Sequence, residues 1–159
     1  MVLGISGDRN RSLRLGIGTM RDLNENEWAY LAGLIDGEGS IYSTRIDRGS
    51  YIQHRVAVTI TNTNEDMIRW CHNRLGGSLW VGENFGADKT HFRLGFYSQR
   101  DSRFVLDGVL PFLVAKKKQA ELALTVLDTL PGSGGKKSKE SSAMLDEIYH
   151  DMSRLNGAR

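Results

Sequence analysis

The chain of 159 residues carries 21 Lys and Arg against 19 Asp and Glu, a formal net charge of +2. Its 40% hydrophobic and 25% charged residues are typical of one folded globular domain. The single cysteine excludes an internal disulfide and a zinc finger, no GxxxxGK phosphate-binding motif occurs, and no apolar run is long enough to span a membrane.

The residues before Asn24 form no predicted helix or strand. Residues 1–23 carry four arginines among glycine and serine without periodicity, and we expect a disordered arm. Because this arm also lacks the apolar segment of a signal peptide and Cys71 is the lone cysteine, we expect an intracellular, reducing location.

The first predicted element is a helix. Asn24 followed by Glu27 forms a capping box at its start, and Trp28 is the first residue of its apolar stripe.

Four strands are predicted next, in two pairs separated by a helix. Apolar residues alternate with polar ones along 54–61, and again along 78–82 and 91–97. Asn64 caps the helix between the pairs, and Gly76-Gly77 ends it.

The remaining residues predict helices at about 99–110 and 112–130, a flexible linker at 132–141, a last amphipathic helix and a short tail at 156–159. The main domain then spans 24–155. This order predicts an α+β fold with one antiparallel four-stranded sheet.

The segment LAGLIDGEGS, residues 31–40, is an apolar helix that contains three glycines and ends in two acids. Gly33 and Gly37 lie four residues apart, a spacing that lets two helices approach closely. Since the chain holds no second copy, a two-fold dimer would place this helix against itself. The predicted dimer contacts are Leu31, Ala32, Gly33, Ile35 and Gly37.

In such a dimer, two copies of Gly37 and Glu38 would meet near the two-fold axis. Carboxylates brought that close repel each other unless divalent cations neutralise them, and hard oxygen ligands suit Mg²⁺. Paired metals are used to displace an oxygen at phosphorus. The spacing alone fits equally well with Asp36 and Glu38 forming a solvated helix end.

LAGLIDGEGS resembles the motif of the LAGLIDADG homing endonucleases, with Gly and Glu at the Ala-Asp positions. Residues 40–97 and VLPFLVAKKKQAELALTVLDTLP, 109–131, resemble its short, single-motif, homodimeric members, so the resemblance covers about 24–155. It implies an αββαββα fold with a saddle-shaped sheet and helices on the convex face. It also implies an intron-associated, Mg²⁺-dependent, site-specific double-strand DNA endonuclease with a long pseudo-palindromic target.

The resemblance assigns metal binding to the carboxylate of Glu38 and the carbonyl of Gly37, with two or three ions in the dimer's centre. Glu reaches one methylene further than Asp, and Asp36 looks structural. The polar residue that orders water near the metal would be Asn64, unless Asn64 is only a helix cap. The lysine near the scissile phosphate would be Lys116, unless it belongs to a solvated face with its neighbours.

A basic residue is also expected on the second helix, where ungapped counting reaches Ile68, with Arg69 adjacent. The sheet face away from the core would enter the major groove. Lysines of the predicted linker, Lys136, Lys137 and Lys139, would contact phosphates or merely aid solubility. The predicted DNA contacts are Tyr42, Thr44, Arg55, Thr59, Thr61, Trp80, His91, Arg93 and Lys137.

The resemblance would place Tyr42 and Thr44 on the DNA, which sends Arg45 inward, and a bulge at 45–48 would resolve this conflict. Two alternatives stay open: an RNA-splicing maturase that binds intron RNA, and a non-catalytic DNA-binding regulator. Glu38 and Lys116 speak against the regulator.

Overall fold

The helices of this protein pack on one face of an antiparallel sheet and leave the other face open. The computed structural model describes the backbone of Leu13–Arg14 and residues 22–83, 90–130 and 138–157. The rest of the predicted arm, most of the loop at 83–89, the linker residues up to 137 with Lys136 and Lys137, and the end of the tail lie outside the described residues.

The elements follow the order β1, α1, β2, β3, α2, β4, β5, α3, α4, α5. The strands are β1 (Leu13–Arg14), β2 (Gly39–Asp47), β3 (Ile52–Asn62), β4 (Ser78–Glu83) and β5 (Thr90–Phe96). The helices are α1 (Glu25–Glu38), α2 (Glu65–Leu75), α3 (Gln99–Val109), α4 (Lys117–Thr129) and α5 (Lys139–Leu155), with a 3₁₀ turn at Leu110–Phe112.

The sheet order is β1-β4-β5-β3-β2, and every neighbouring pair is antiparallel. The predicted α+β class and the four strands β2 to β5 are confirmed. The expectation that the whole arm lacks regular structure is wrong for Leu13–Arg14, which pairs with Leu79 and Ser78 at the outer edge.

The predicted capping box fixes the start of α1. The Asn24 side chain accepts the Glu27 backbone N–H at 3.0 Å, and the Glu27 carboxylate accepts the Asn24 N–H at 3.0 Å. Arg74 of α2 then pairs with Glu27 at 2.7 Å, and this contact holds the pKa of the Glu27 carboxyl below its usual value. The first turn of α1 is thereby tied to α2.

The predicted bulge in β2 is wrong. The strands β2 and β3 pair without interruption from Gly39 opposite Ile60 to Asp47 opposite Ile52. Arg45 lies on the helix side, where its Nε atom is 2.7 Å from the Asp146 carboxylate of α5. An inward arginine needs no bulge because α5 supplies the counter-charge.

Two predicted boundaries in the last third of the chain are also wrong. The helix expected from residue 112 begins at Lys117, because Leu110–Phe112 forms a 3₁₀ turn and the next residues form a loop. The linker expected at 132–141 ends earlier, since Ser138 caps α5 and Lys139 is its first residue. Among the described residues, no helix has the length and apolar character that crossing a membrane requires.

Candidate active site

The junction between α1 and β2 sets the position of the motif's acids. Gly39 has an ordinary extended backbone, but a Cβ atom there would lie 2.7 Å from the Ile35 Cα and 3.1 Å from the Thr59 carbonyl oxygen. Only glycine therefore allows the helix to end this close to β3. The tight junction places Glu38 at the end of the sheet where β2 starts.

Asp36 holds the loop that leads into α4 against the end of α1. Its carboxylate accepts the backbone N–H groups of Val114 at 2.8 Å, Lys116 at 2.9 Å and Ala115 at 3.2 Å. Burial would raise the pKa of Asp36, but these hydrogen bonds outweigh it and lower the pKa. Asp36 thus has the structural role that the sequence predicted.

Replacing Asp36 with asparagine should reduce the free energy of unfolding at pH 7 by about 1–3 kcal/mol, because an amide N–H₂ would then face a backbone N–H. Since the folded pKa lies below the ordinary 3.8, this stabilisation is complete above that pH and is lost as the pH falls through the folded value. Urea unfolding at pH 7 and pH 3 measures both effects.

The matched control for this measurement is Asp107→Asn, at an exposed position of α3. It should change the unfolding free energy by less than about 0.5 kcal/mol at both pH values. Equal effects of the two substitutions would contradict the anchoring role of Asp36.

Glu38 and Gly37 are both exposed at the end of α1. The Gly37 carbonyl is among the last four of the helix, which have no intrahelical donor, and the helix dipole is negative at this end. In the described part of the chain, no group of three or more His, Cys, Asp or Glu side chains could hold a metal ion. The Glu38 carboxylate and the Gly37 carbonyl are oxygen donors of the kind that Mg²⁺ prefers, but one protomer presents too few of them to hold an ion.

The structure brings Lys116 to this end of α1. Its backbone N–H binds the Asp36 carboxylate, and its Nζ atom donates to the Asp36 carbonyl oxygen. Asn64 lies at the same end of the sheet, because Gly39 pairs with Ile60 and Asn64 follows Ile60 by four residues.

Asn64 is the N-cap of α2, as the sequence predicted. Its side-chain oxygen accepts the Met67 N–H at 3.0 Å. On the same helix, Ile68 is fully buried and cannot supply the expected basic group, whereas Arg69 is exposed and pairs with Glu65 at 2.6 Å. Arg69 is therefore the basic side chain that α2 presents beside the predicted position.

The predicted dimer contacts divide between two sides of α1. Leu31, Ala32 and Ile35 are completely buried in the core of the protomer, so their prediction as dimer contacts is wrong. They lie about half a helical turn away from Gly33 and Gly37. The two glycines are exposed, and a Cβ atom on either would have no neighbour within 4 Å.

The outer side of α1 is therefore a strip of small residues, formed by Ala29, Gly33 and Gly37. We call these residues the small-residue strip. Two exposed apolar side chains flank it: Tyr30, which is 48% exposed and packs edge-on against Trp70, and Val114, which is 88% exposed in the loop that Asp36 anchors.

The sheet face that the helices leave open carries positive charge. We define this open face as the strand residues opposite the core, and those described include Arg55 and Arg93 but no Asp or Glu. The predicted residues placed on it are Tyr42, Thr44, Arg55, Thr59, Thr61, Trp80, His91 and Arg93.

Arg93 lies at the centre of a row across the open face, between Thr61 on β3 and Trp80 on β4. Its Nε atom is 3.3 Å from the Thr61 hydroxyl, and its guanidinium lies 5.6 Å from the centre of the Trp80 ring. The arginine is exposed yet held between two neighbours, an arrangement suited to reading a base edge.

Two residues at the open face, Thr59 and Tyr97, differ from the predicted set of DNA contacts. Thr59 is only 9% exposed, so its prediction as an accessible DNA contact is wrong. It pairs with Gly95, and the Tyr97 ring lies over that glycine. Tyr97, 48% exposed, was missed, although it continues the alternation of Arg93 and Gly95. Burial raises the pKa of Tyr42, and Tyr97 adds to this effect.

Comparison with known proteins identifies a relative, although no family model matches the chain. The DNA endonuclease I-CreI of Chlamydomonas reinhardtii is 30% identical over 129 residues, which cover 79% of this chain and 78% of that protein.

Solved structures share the fold. I-CvuI, in complex with a target of I-CreI, has a TM-score of 0.69 at 22% identity over 82% of each chain. The archaeal intron-encoded homing endonuclease I-Vdi141I, complexed with DNA, has a TM-score of 0.69 at 15% identity over 82% of this chain and 84% of that chain. With its motif at residues 31–40, this chain belongs to the LAGLIDADG homing endonuclease family.

Proposed function

We propose that the protein is a site-specific double-strand DNA endonuclease that acts as a homodimer. The observation that carries this proposal is the position of Glu38. Its exposed carboxylate stands at the tight end of α1, where the small-residue strip meets the start of the open face. One surface fits a second copy of the chain, the other fits DNA, and the acid lies between them.

The dimer would form by contact between two small-residue strips. Helices pack at their closest distance when glycine and alanine line the contact, and the space above Gly33 and Gly37 is open. Tyr30 and Val114 would lose their exposure to water at the edges of the same contact. This arrangement brings two Glu38 carboxylates to one centre.

The shared centre would hold two or three divalent ions, with Mg²⁺ as the physiological metal. Each protomer would contribute the Glu38 carboxylate and the Gly37 carbonyl, and phosphate oxygens of the DNA and water would complete the coordination. Bound there, Mg²⁺ would activate water and stabilise the leaving oxygen. The two acids alone would repel each other, so the dimer centre favours the cation electrostatically.

The neighbouring side chains would serve the same centre. Lys116 would place its charge beside the scissile phosphate, because the hydrogen bond from its ammonium group to the Asp36 carbonyl holds that group near Glu38. The amide N–H₂ of Asn64 would orient water, since its oxygen already caps α2.

The open face would lie in the major groove of the target. Its arginines and hydroxyls match base edges and phosphates, and it lacks carboxylates among the described strand residues. The structures of I-CvuI and I-Vdi141I in complex with DNA support duplex DNA as the partner. Glu38 is exposed and has no partner among the described residues, which disfavours a non-catalytic regulator. No feature of the described residues favours RNA over DNA.

A plasmid-library cleavage assay tests the proposal. The purified protein is incubated with randomised targets in Mg²⁺, and the cut ends are sequenced. We expect cleavage of both strands within one family of long, pseudo-palindromic sites. Absence of cleavage, or cleavage of all sequences alike, would refute the proposed function.

Replacing Arg93 with alanine should relax base preference at one or two symmetric positions, because a bidentate arginine contact to guanine gives about 1–3 kcal/mol of discrimination. Cleavage of the relaxed sites should be retained. The measurement is cleavage of every single-base variant of the selected target. Arg100→Ala, at an exposed position of α3, is the control and should leave the profile unchanged. An unchanged profile for Arg93→Ala would mean that this side chain does not read bases.

A further inference from the structure

The partly exposed ring of Trp80 lies along strand β4 and covers a glycine. A Cβ atom built on Gly82 would lie 1.8 Å from the Cη2 atom of the indole and 2.2 Å from its Cζ2 atom. Gly82 does not have a positive φ, so its backbone conformation is open to other residues. The missing side chain at this position is therefore what allows the ring of Trp80 to lie along the strand.

The same ring lies beside the guanidinium of Arg93. Trp80 and Arg93 are directly opposite each other in the pairing of β4 with β5, and the Cζ atom of Arg93 is 5.6 Å from the centre of the ring. A cation is attracted to an aromatic ring within about 6 Å of its centre. On the other side, the Nε atom of Arg93 donates to the Thr61 hydroxyl at 3.3 Å. We call Trp80 and Thr61 the arginine bracket.

The arginine bracket determines which donors Arg93 can offer to a ligand. An arginine side chain has one N–H on Nε and two on each of its terminal nitrogens. Because Thr61 accepts the hydrogen of Nε, the two terminal nitrogens remain for a ligand. Two such donors side by side match the O6 and N7 acceptors of guanine in the major groove. A guanidinium that is already held in place also loses less freedom on binding, which favours the correct base.

We propose that Trp80 is a positioning residue for base reading, which acts through Arg93 and not through a base contact of its own. With its ring over Gly82, Trp80 holds the guanidinium so that the terminal nitrogens meet a guanine at one position of each half-site. The inference rests on the proposed function, because it requires that the open face lies against duplex DNA. It also gives Gly82 a role, since any side chain there would displace the ring from Arg93.

Two substitutions disturb the arginine bracket in different ways. Trp80→Leu removes the ring, whereas Gly82→Ala keeps the ring but fills the space that it occupies. The clashing atoms are the far end of a side chain, so the ring and not the strand should move. Cleavage of every single-base variant of the selected target in Mg²⁺ measures discrimination at each position. Both variants should lose about fivefold at the guanine that Arg93 reads, as expected for a cation–π contact, and less than about twofold elsewhere.

A conservative variant provides the rescue. Trp80→Tyr keeps an aromatic face beside the guanidinium, so discrimination at the guanine should stay within about twofold of the wild type. The matched control is Phe104→Leu, which removes an exposed aromatic ring from α3, on the helix side of the sheet. It should leave the whole profile of base preference unchanged.

A double substitution separates positioning from direct contact. In an Arg93→Ala background the arginine bracket has no guanidinium to hold. Adding Trp80→Leu should then change discrimination at the same position by less than about twofold. A tryptophan that contacted the base itself would cause the same loss in this background as in the wild type.

Three outcomes would overturn the inference. One is discrimination at the guanine within about twofold of the wild type in Trp80→Leu or in Gly82→Ala. Another is an undiminished effect of Trp80→Leu in the Arg93→Ala background. The third is an equal loss at all positions of the target, which would indicate damage to the fold. In each case a wild type that cleaves the selected duplex leaves the proposed function intact, whereas a wild type that cleaves no DNA removes both.

Discussion

Replacing Glu38 with glutamine is expected to abolish DNA cleavage while the protein stays folded and bound to DNA. The amide keeps the shape of the side chain but loses the charge that a divalent cation requires. Because a metal centre supplies several kcal/mol of transition-state stabilisation, the cleavage rate should fall at least about a thousandfold. Affinity for the selected duplex should stay within about tenfold, or ~1.4 kcal/mol.

A second measurement distinguishes a metal ligand from other roles of Glu38. In EDTA, two carboxylates at the dimer axis repel each other, so Glu38→Gln should dimerise as tightly as the wild type or more tightly. Added Mg²⁺ should strengthen the wild-type dimer and not the variant. Glu121→Gln, at an exposed position of α4, is the control for both assays. Cleavage by Glu38→Gln at the wild-type rate would refute the assignment.

Local patterns in the sequence predicted most of the fold. The capping box at Asn24 and the cap at Asn64 depend on residues three positions apart, and both form as predicted. The alternation of apolar residues assigned the faces of β3 and β5 correctly, including Arg55 and Arg93 on the open side. These features could be predicted because their causes lie within a few residues of one another.

The predictions that failed depend on contacts between distant parts of the chain. Arg45 required a bulge only as long as its partner Asp146, on the last helix, was unknown. The loop before α4 could not be predicted because Asp36 anchors it from 78 to 80 residues away. Leu31 and Ile35 were assigned to the dimer because the motif was treated as one block, whereas its two faces serve the core and the surface.

Only part of the candidate site could be predicted, because some of its residues carry a local signal and others depend on distant contacts. Glu38 stands out because a carboxylate at a helix end is locally unfavourable. The contact of Lys116 with the Asp36 carbonyl becomes apparent only when the loop before α4 is placed against α1.

Replacing Gly33 with leucine should abolish the dimer and DNA cleavage while stabilising the protomer. Above Gly33 there is open space, so the leucine fits the isolated chain, and its higher helix propensity adds up to about 0.8 kcal/mol. In a dimer built on the small-residue strip, the same side chain would occupy the volume of the facing helix. Sedimentation at micromolar concentration measures the mass, and thermal unfolding of dilute protein measures the protomer's stability.

The opposite effects expected on dimerisation and on protomer stability distinguish an interface position from a structural one. A substitution that merely damaged the fold would lower stability and dimerisation together, whereas an interface position loses only the dimer. Ala143→Leu, which enlarges an exposed small residue of α5, is the matched control and should leave a dimer that cleaves DNA. A wild type that sediments as a monomer at micromolar concentration would contradict the shared centre, because one protomer then has too few ligands for its metal. A Gly33→Leu variant that remains a dimer would instead move the contact away from the small-residue strip.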